Sequence, residues 1–158
     1  MKEITCTNGM KTLVDDENYN YLIQWKWTYN KRSKRPLRYD VKTKKTVYMH
    51  REILIAKKGE EVDHMNRDGM DNRKENLRKI THQQNMFNRG AVKKRYKGIW
   101  RRKEKWNACI KKNNKTTHLG SFFSKEEAAM AYNEAARRLH GEYAYQNCIN
   151  SLTGHHNP

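Results

Sequence analysis

Apolar positions in this chain come in short alternating runs, separated by basic and amide-rich turns, and one long helical stripe lies near the C-terminal end. Ile4 and Cys6 alternate toward an Asn8-Gly9 turn, and residues 11–14 return, which predicts a β-hairpin. Asp15-Asp16 suit the cap of a short helix over 17–24. Aromatic positions resume at Trp25, Trp27 and Tyr29, with strands expected near 37–41 and 46–49 between basic turns. HREILIAKKG reads as a short helix ended by Gly59, with Ile53, Leu54 and Ala56 as its apolar contacts.

From residue 61 the pattern changes to strand (61–64), polar loop (65–74), strand (77–80) and helix (82–88), a ββα order. Thr81 with Gln84 three residues on forms a capping signal for that helix. Further strands are expected at 98–102, 106–112 and 116–119, with Asn113-Asn114 in the second turn. Alternation puts Trp106, Ala108 and Ile110 on one face and Asn107, Cys109 and Lys111 on the other. Ser124 and Glu127 open a helix on which Ala128, Ala131, Tyr132, Ala135 and Leu139 share a face, and Gly141 ends it.

Only 35% of the 158 residues are hydrophobic, which favours two small cores over one large one. Lys and Arg total 34 against 17 Asp and Glu, a net charge of +17 that points to a polyanionic partner and salt-dependent binding. Eleven of these cations fall between Gly90 and Gly120, against the single acid Glu104. No apolar run reaches the roughly 20 residues that span a bilayer, and the N-terminus lacks a signal-peptide stretch. Cys6, Cys109 and Cys148 stand far apart, which argues against a disulfide framework or a cysteine-rich zinc site and toward a reducing, cytoplasmic location.

The segment VDHMNRDGMDNRKENLRKITHQQN carries Asp63-His64, Asp68-Gly69, Asn72, Asn76, His82 and Asn85. Phosphodiester hydrolysis needs a proton acceptor for water, charge neutralisation on the phosphate and stabilisation of the leaving 3′-oxygen. The spacing His64, Asn76, Asn85 resembles the HNH nuclease family, in the variant whose third letter is Asn. The run VYMHREILIA is like the segment that precedes this motif in phage members. The resemblance implies His64 as general base, Asp63 and Asn85 as ligands of a divalent metal, and Asn76 as the residue that ties down the loop. Such oxygen donors suit Mg2+ first, Mn2+ second and Zn2+ least. Asp63 and His64, as strand neighbours, face opposite ways unless the strand ends or bends there. His82 is a competing metal candidate, and His50 is a secondary site candidate, either DNA-facing or structural.

Residues 96–147 contain YKGI, WNACI, LGSF, EEAAMAY and AYQN and resemble the AP2/ERF DNA-binding domain. That resemblance implies a three-stranded antiparallel sheet that enters the major groove, braced by one helix. By position it implies DNA contacts from Lys97, Trp100, Arg102 and Lys111, with Arg101, Lys103 and Lys105 as close alternatives. Trp100, Cys109 and Thr116 replace charged residues of the plant pattern, so that family's sequence preference does not transfer.

The expectation is an α+β chain: a ββα-metal nuclease domain with an N-terminal platform (1–90), a basic linker (91–95), an AP2-like domain (96–150) and a tail (151–158). The expected function is a metal-dependent, homing-type endonuclease on double-stranded DNA, inside a bacterial host if phage-encoded. A monomer would nick, and two cuts need a dimer or a second visit. The alternatives are a DNA-binding transcriptional regulator with a silent HNH site, and an RNA-directed protein.

Overall fold

The computed structural model describes residues 1–91 and 96–149. The expected linker, save for Ala91, and the tail lie outside the described residues. The chain forms two compact units, Met1–Asn85 and Met86–Pro158, each built of small antiparallel sheets and short helices. Among the described residues no helix is long and apolar enough to cross a membrane, and the three cysteines are free thiols.

In the first unit, β1 (Lys2–Thr5) and β2 (Lys11–Val14) form the first hairpin, with Ile4 and Val14 buried by alternation. Helix α1 (Asp16–Leu22) follows. Asp15 stands at its N-cap but makes no side-chain cap bond; its carboxylate instead accepts from Lys74 N at 2.7 Å, bracing the turn before Asn76. Strands β3 (Thr28–Asn30), β4 (Arg35–Asp40) and β5 (Lys45–Tyr48) form a meander, and Val41 is exposed beyond it. Helix α2 (Met49–Ile53) stops well short of Gly59, because Ile55 adopts a left-handed φ of 48° and stands exposed. Arg51 satisfies the carbonyls of Lys57 and Glu60 in the irregular turn that follows. Strands β6 (Glu61–His64) and β7 (Leu77–Ile80) pair antiparallel, with Asp63 opposite Arg78. Helix α3 (His82–Asn88) opens on the Thr81/Gln84 capping box. Trp27, Leu22, Met49, Val14 and Val62 fill the core.

In the second unit β8 (Ile99–Arg102), β9 (Lys105–Lys112) and β10 (Lys115–Phe122) form a three-stranded antiparallel sheet in the order β10-β9-β8. β10 runs three residues past the expected end, because a bulge at Leu119 lets it resume pairing from Gly120 to Phe122. Helix α4 (Lys125–His140) starts on the Ser124/Glu127 capping box and covers one sheet face. Ala108 and Ile110 meet Tyr132, Ala135 and Ala136 there, and small alanines permit the close approach. Gly98 is required: its φ is +74°, and a Cβ would lie 2.5 Å from the Tyr132 ring and 2.4 Å from the Cys109 carbonyl oxygen.

Candidate active site

The first hairpin, the 65–73 loop and β6 meet around one imidazole. His64 ends β6 and is only 2% exposed. Its Nε2 lies 3.1 Å from Asn72 Oδ1. The amide of Asn72 is oriented from behind: its Nδ2 donates to Thr12 Oγ1 at 2.8 Å and to the Gly69 carbonyl at 3.3 Å. Thr12 in turn donates to the Met70 carbonyl at 2.6 Å. With the amide nitrogen so committed, Asn72 offers His64 an acceptor. Nε2 therefore carries the proton and the ring's lone pair sits on Nδ1. Burial pushes the His64 pKa down, assisted by Arg35; the Asn72 bond and the Asp63 and Asp68 charges oppose the shift. The lowered pKa favours the neutral ring, the state a general base requires.

Asn76 holds the loop's ends together. Its Oδ1 accepts from Asn66 N at 3.0 Å, and its Nδ2 donates to the Asp71 carbonyl at 2.8 Å. Asp71 is clamped by Arg73 at 2.8 Å, which holds its carboxylate below the usual range. β2 runs beside this loop through a parallel bridge between Leu13 and Asp71.

Asp63 is buried beside His64 at the end of β6, and Arg78 donates to its Oδ2 from Nε at 3.2 Å and Nη2 at 3.1 Å. Glu61 shares the Asp63 face by alternation. Its carboxylate accepts from Asn85 Nδ2 at 2.6 Å and lies 2.7 Å from His82 Nδ1, so Asn85 stands beside that face. With the amide nitrogen of Asn85 turned to Glu61, its oxygen is the end left to act as a ligand. A carboxylate and an amide oxygen are hard donors, and they fit Mg2+ or Mn2+. His82 is largely exposed and turned to Glu61. Among the described residues no three His, Cys, Asp or Glu side chains gather as a metal-ligand group.

His50 is 3% exposed and packs beside His64. Its ring lies 5.1 Å from that of His64, its Nδ1 has no hydrogen-bond partner among the described residues, and burial with the nearby Arg35, His64 and Arg51 lowers its pKa to about 2.

On the second unit's open sheet face, strand register places Trp100, Arg102, Lys105, Asn107, Cys109 and Lys111 together. Trp100 is 43% exposed. Asn107 accepts from Ser121 Oγ at 2.7 Å and lies 3.3 Å from His118 Nε2, which fixes its amide on that face. Lys103 occupies the β8–β9 turn with a φ of 52°. Arg101 alternates to the other face and lies 3.8 Å from Glu104. Lys97 departs from the DNA-contact expectation. Its amine donates to the carbonyls of Met86, Phe87 and Arg89 at 2.9, 2.8 and 2.7 Å, closing the C-terminal end of α3.

Sequence reasoning marked Asn72 as part of the motif without giving it a role, and missed Glu61, Thr12, Arg78 and Arg35. Glu61 was accessible through its two-residue offset from Asp63. The pairing of Thr12 with Asn72 spans 60 residues and leaves no local signal.

Residues 47–87 match the family model described as HNH endonuclease. An uncharacterised HNH endonuclease of Acanthamoeba polyphaga mimivirus is 30% identical over 145 residues, covering 89% of this chain and 76% of that protein. A dehydration-responsive element-binding protein (2E) of Oryza sativa subsp. japonica is 53% identical over 55 residues, 33% of this chain and 17% of its own length. An ethylene-responsive transcription factor-like protein of Arabidopsis thaliana is 48% identical over 40 residues, 25% of this chain and 18% of its own length. No solved structure matches the chain.

Proposed function

This chain belongs to the HNH endonuclease family, and from that premise we propose that it is a metal-dependent, homing-type endonuclease of double-stranded DNA in which His64 is the general base. The observation that carries this reading is the buried His64 ring, whose Nε2 lies 3.1 Å from the Oδ1 of an Asn72 amide that donates from its nitrogen to Thr12; this arrangement supports a ring with its lone pair on Nδ1. In the proposed step Nδ1 takes a proton from water, the water oxygen bonds to phosphorus, and the bond to the 3′-oxygen breaks. The 3′-oxygen leaves with a proton from solvent.

HNH nucleases use a divalent metal, and Asp63 and Asn85 would hold it here, with Mg2+ favoured over Mn2+. When bound, the metal neutralises charge on the phosphate and the leaving oxygen. Asn76 keeps the loop closed around the site. The second unit would hold the target duplex as an AP2-like domain, its open sheet face offering Trp100, Arg102, Lys105 and Lys111 to the groove. The 48–53% identity to plant factors whose names include element binding and transcription supports that assignment.

The test is cleavage of supercoiled and linear DNA with Mg2+, Mn2+ or EDTA. Metal-dependent cutting is expected, and Asp63→Ala and His64→Ala each abolish it while binding duplex DNA within about threefold of wild type. Loss of binding in both variants would sink this division of labour.

One observation favours the second reading, a DNA-binding regulator with a silent site: the Arg78 guanidinium already occupies Asp63. A wild type that binds DNA but never cuts it under any of these metals establishes that reading.

A further inference from the structure

The first unit carries five half-buried arginines: Arg35, Arg38, Arg51, Arg73 and Arg78. Four have their hydrogen bonds assigned by the fold. Arg38 takes Glu52, Arg51 takes backbone carbonyls, Arg73 takes Asp71 and Arg78 takes Asp63. Arg35 is the exception: among the described residues it has no carboxylate or carbonyl partner. A half-buried guanidinium is costly to leave uncompensated.

Its position is set by close contact. Arg35 opens β4, opposite Asn30, and this end of the strand presses on the Asp68-Gly69 turn of the active-site loop. A Cβ on Gly69 would lie 2.2 Å from the Lys34 carbonyl oxygen and 2.9 Å from Arg35 Cγ. From there the guanidinium reaches the reacting groups electrostatically. Burial lowers its own pKa while Asp63 and Tyr48 raise it, and its charge in turn depresses His50 and His64. The Tyr48, His50 and His64 rings form a continuous row, with centroid separations of 5.7 and 5.1 Å, that walls this region.

We propose that Arg35 is a catalytic residue that binds the scissile phosphate, donating from its guanidinium to a non-bridging oxygen. The inference rests on the nuclease reading. It adds to that reading a group from the platform, twelve residues before the stretch that matches the family model. An arginine fork suits a phosphate geometrically, and a phosphate supplies the hydrogen-bond acceptors that the fold withholds from this guanidinium. As the attacking water adds and negative charge builds on the non-bridging oxygens, the same donors hold it more strongly.

The test compares wild type, Arg35→Ala, Arg35→Lys and His64→Ala as full chains on supercoiled plasmid DNA with Mn2+, alongside their melting temperatures. Arg35→Ala is expected to cut at least about 100-fold more slowly, and Arg35→Lys about tenfold more slowly. Added guanidinium chloride, against an equal concentration of NaCl, restores part of the Arg35→Ala rate and none of the His64→Ala rate. If Arg35→Ala melts out, Arg35→Lys decides: a tenfold loss at unchanged melting temperature supports the assignment. Cutting within threefold of wild type by a folded Arg35 variant overturns it and leaves the nuclease reading intact. Loss that guanidinium does not rescue also overturns it, in favour of a structural role. A wild type that cuts nothing overturns the nuclease reading and this one with it.

Discussion

The two units bury different things. The first buries polar side chains: Thr12, His50, Asp63, His64, Asp71, Asn72 and Asn76 all lie within or beside one loop-rich site. The second buries alanine, isoleucine and tyrosine beneath α4 and leaves its cations outside; its buried polar groups, among them Asn133, His140 and Asn147, tie α4 to the sheet and to the segment after it rather than gathering at one site. Burial in the first unit fixes orientation, since each buried amide there points another group. Burial in the second makes a stiff backing for an exposed face. Under the proposed division of labour, the unit for chemistry and the unit for holding a polyanion thus differ most in how their buried polar groups are used.

The contrast breaks most sharply at Gly98. Gly98→Ala combines a left-handed φ with an overlap on the Tyr132 ring. We expect a destabilisation of about 3 kcal/mol or more from strain and overpacking, a large part of a small unit's stability. Urea unfolding followed by separate probes of the two units should show the second unit melting early and the first unmoved.

Acid should act the other way round. Folded His50 has a pKa near 2, whereas the unfolded chain titrates at the ordinary 6.5. As pH falls below 6.5 the unfolded state binds the proton first, so the stability present above that pH is lost progressively toward the folded value. The loss is about 1.4 kcal/mol per pH unit, against the Arg35, His64 and Arg51 charges that face the ring. Between pH 6.5 and 5 the first unit should weaken by about 2 kcal/mol, and His50→Phe should flatten that slope. A first unit as stable at pH 5 as at pH 7 would refute the neutral buried ring.

The smallest effect separates two lysines. Lys111→Ala should lower the slope of log binding constant against log salt by about 0.9, as expected for one lost phosphate contact. Lys97→Ala should leave that slope unchanged and cost about 1 kcal/mol of stability, because its amine serves carbonyls. Equal slope changes from both would return Lys97 to the binding face.

What was legible in the sequence follows from the range of the forces involved. The bounds 61–64, 77–80 and 82–88 are set by alternation and a capping box, which act over four to eight residues. The helix expected to run to Gly59 was not legible, because a left-handed Ile55 and the reach of Arg51 to distant carbonyls end it early. Lys97 looks like every other cation in its run, and only the three carbonyls closing α3 single it out. The acid–His pair is visible as two letters. That Asn72 and Thr12 set the imidazole's tautomer depends on a contact 60 residues apart.

The Thr12–Asn72–His64 chain has a consequence for portability. The stretch that matches the HNH family model, 47–87, contains the proposed base but not the hydroxyl that holds the Asn72 amide beside it. Lifted out on those boundaries and grafted into another protein, the stretch would lose Thr12 together with the strand that lies along its loop. Asn72 could then turn its nitrogen toward the ring and withdraw the acceptor that holds the proton on Nε2. The transplantable cassette in this chain is thus residues 1–88, with the first hairpin and the whole of α3 included.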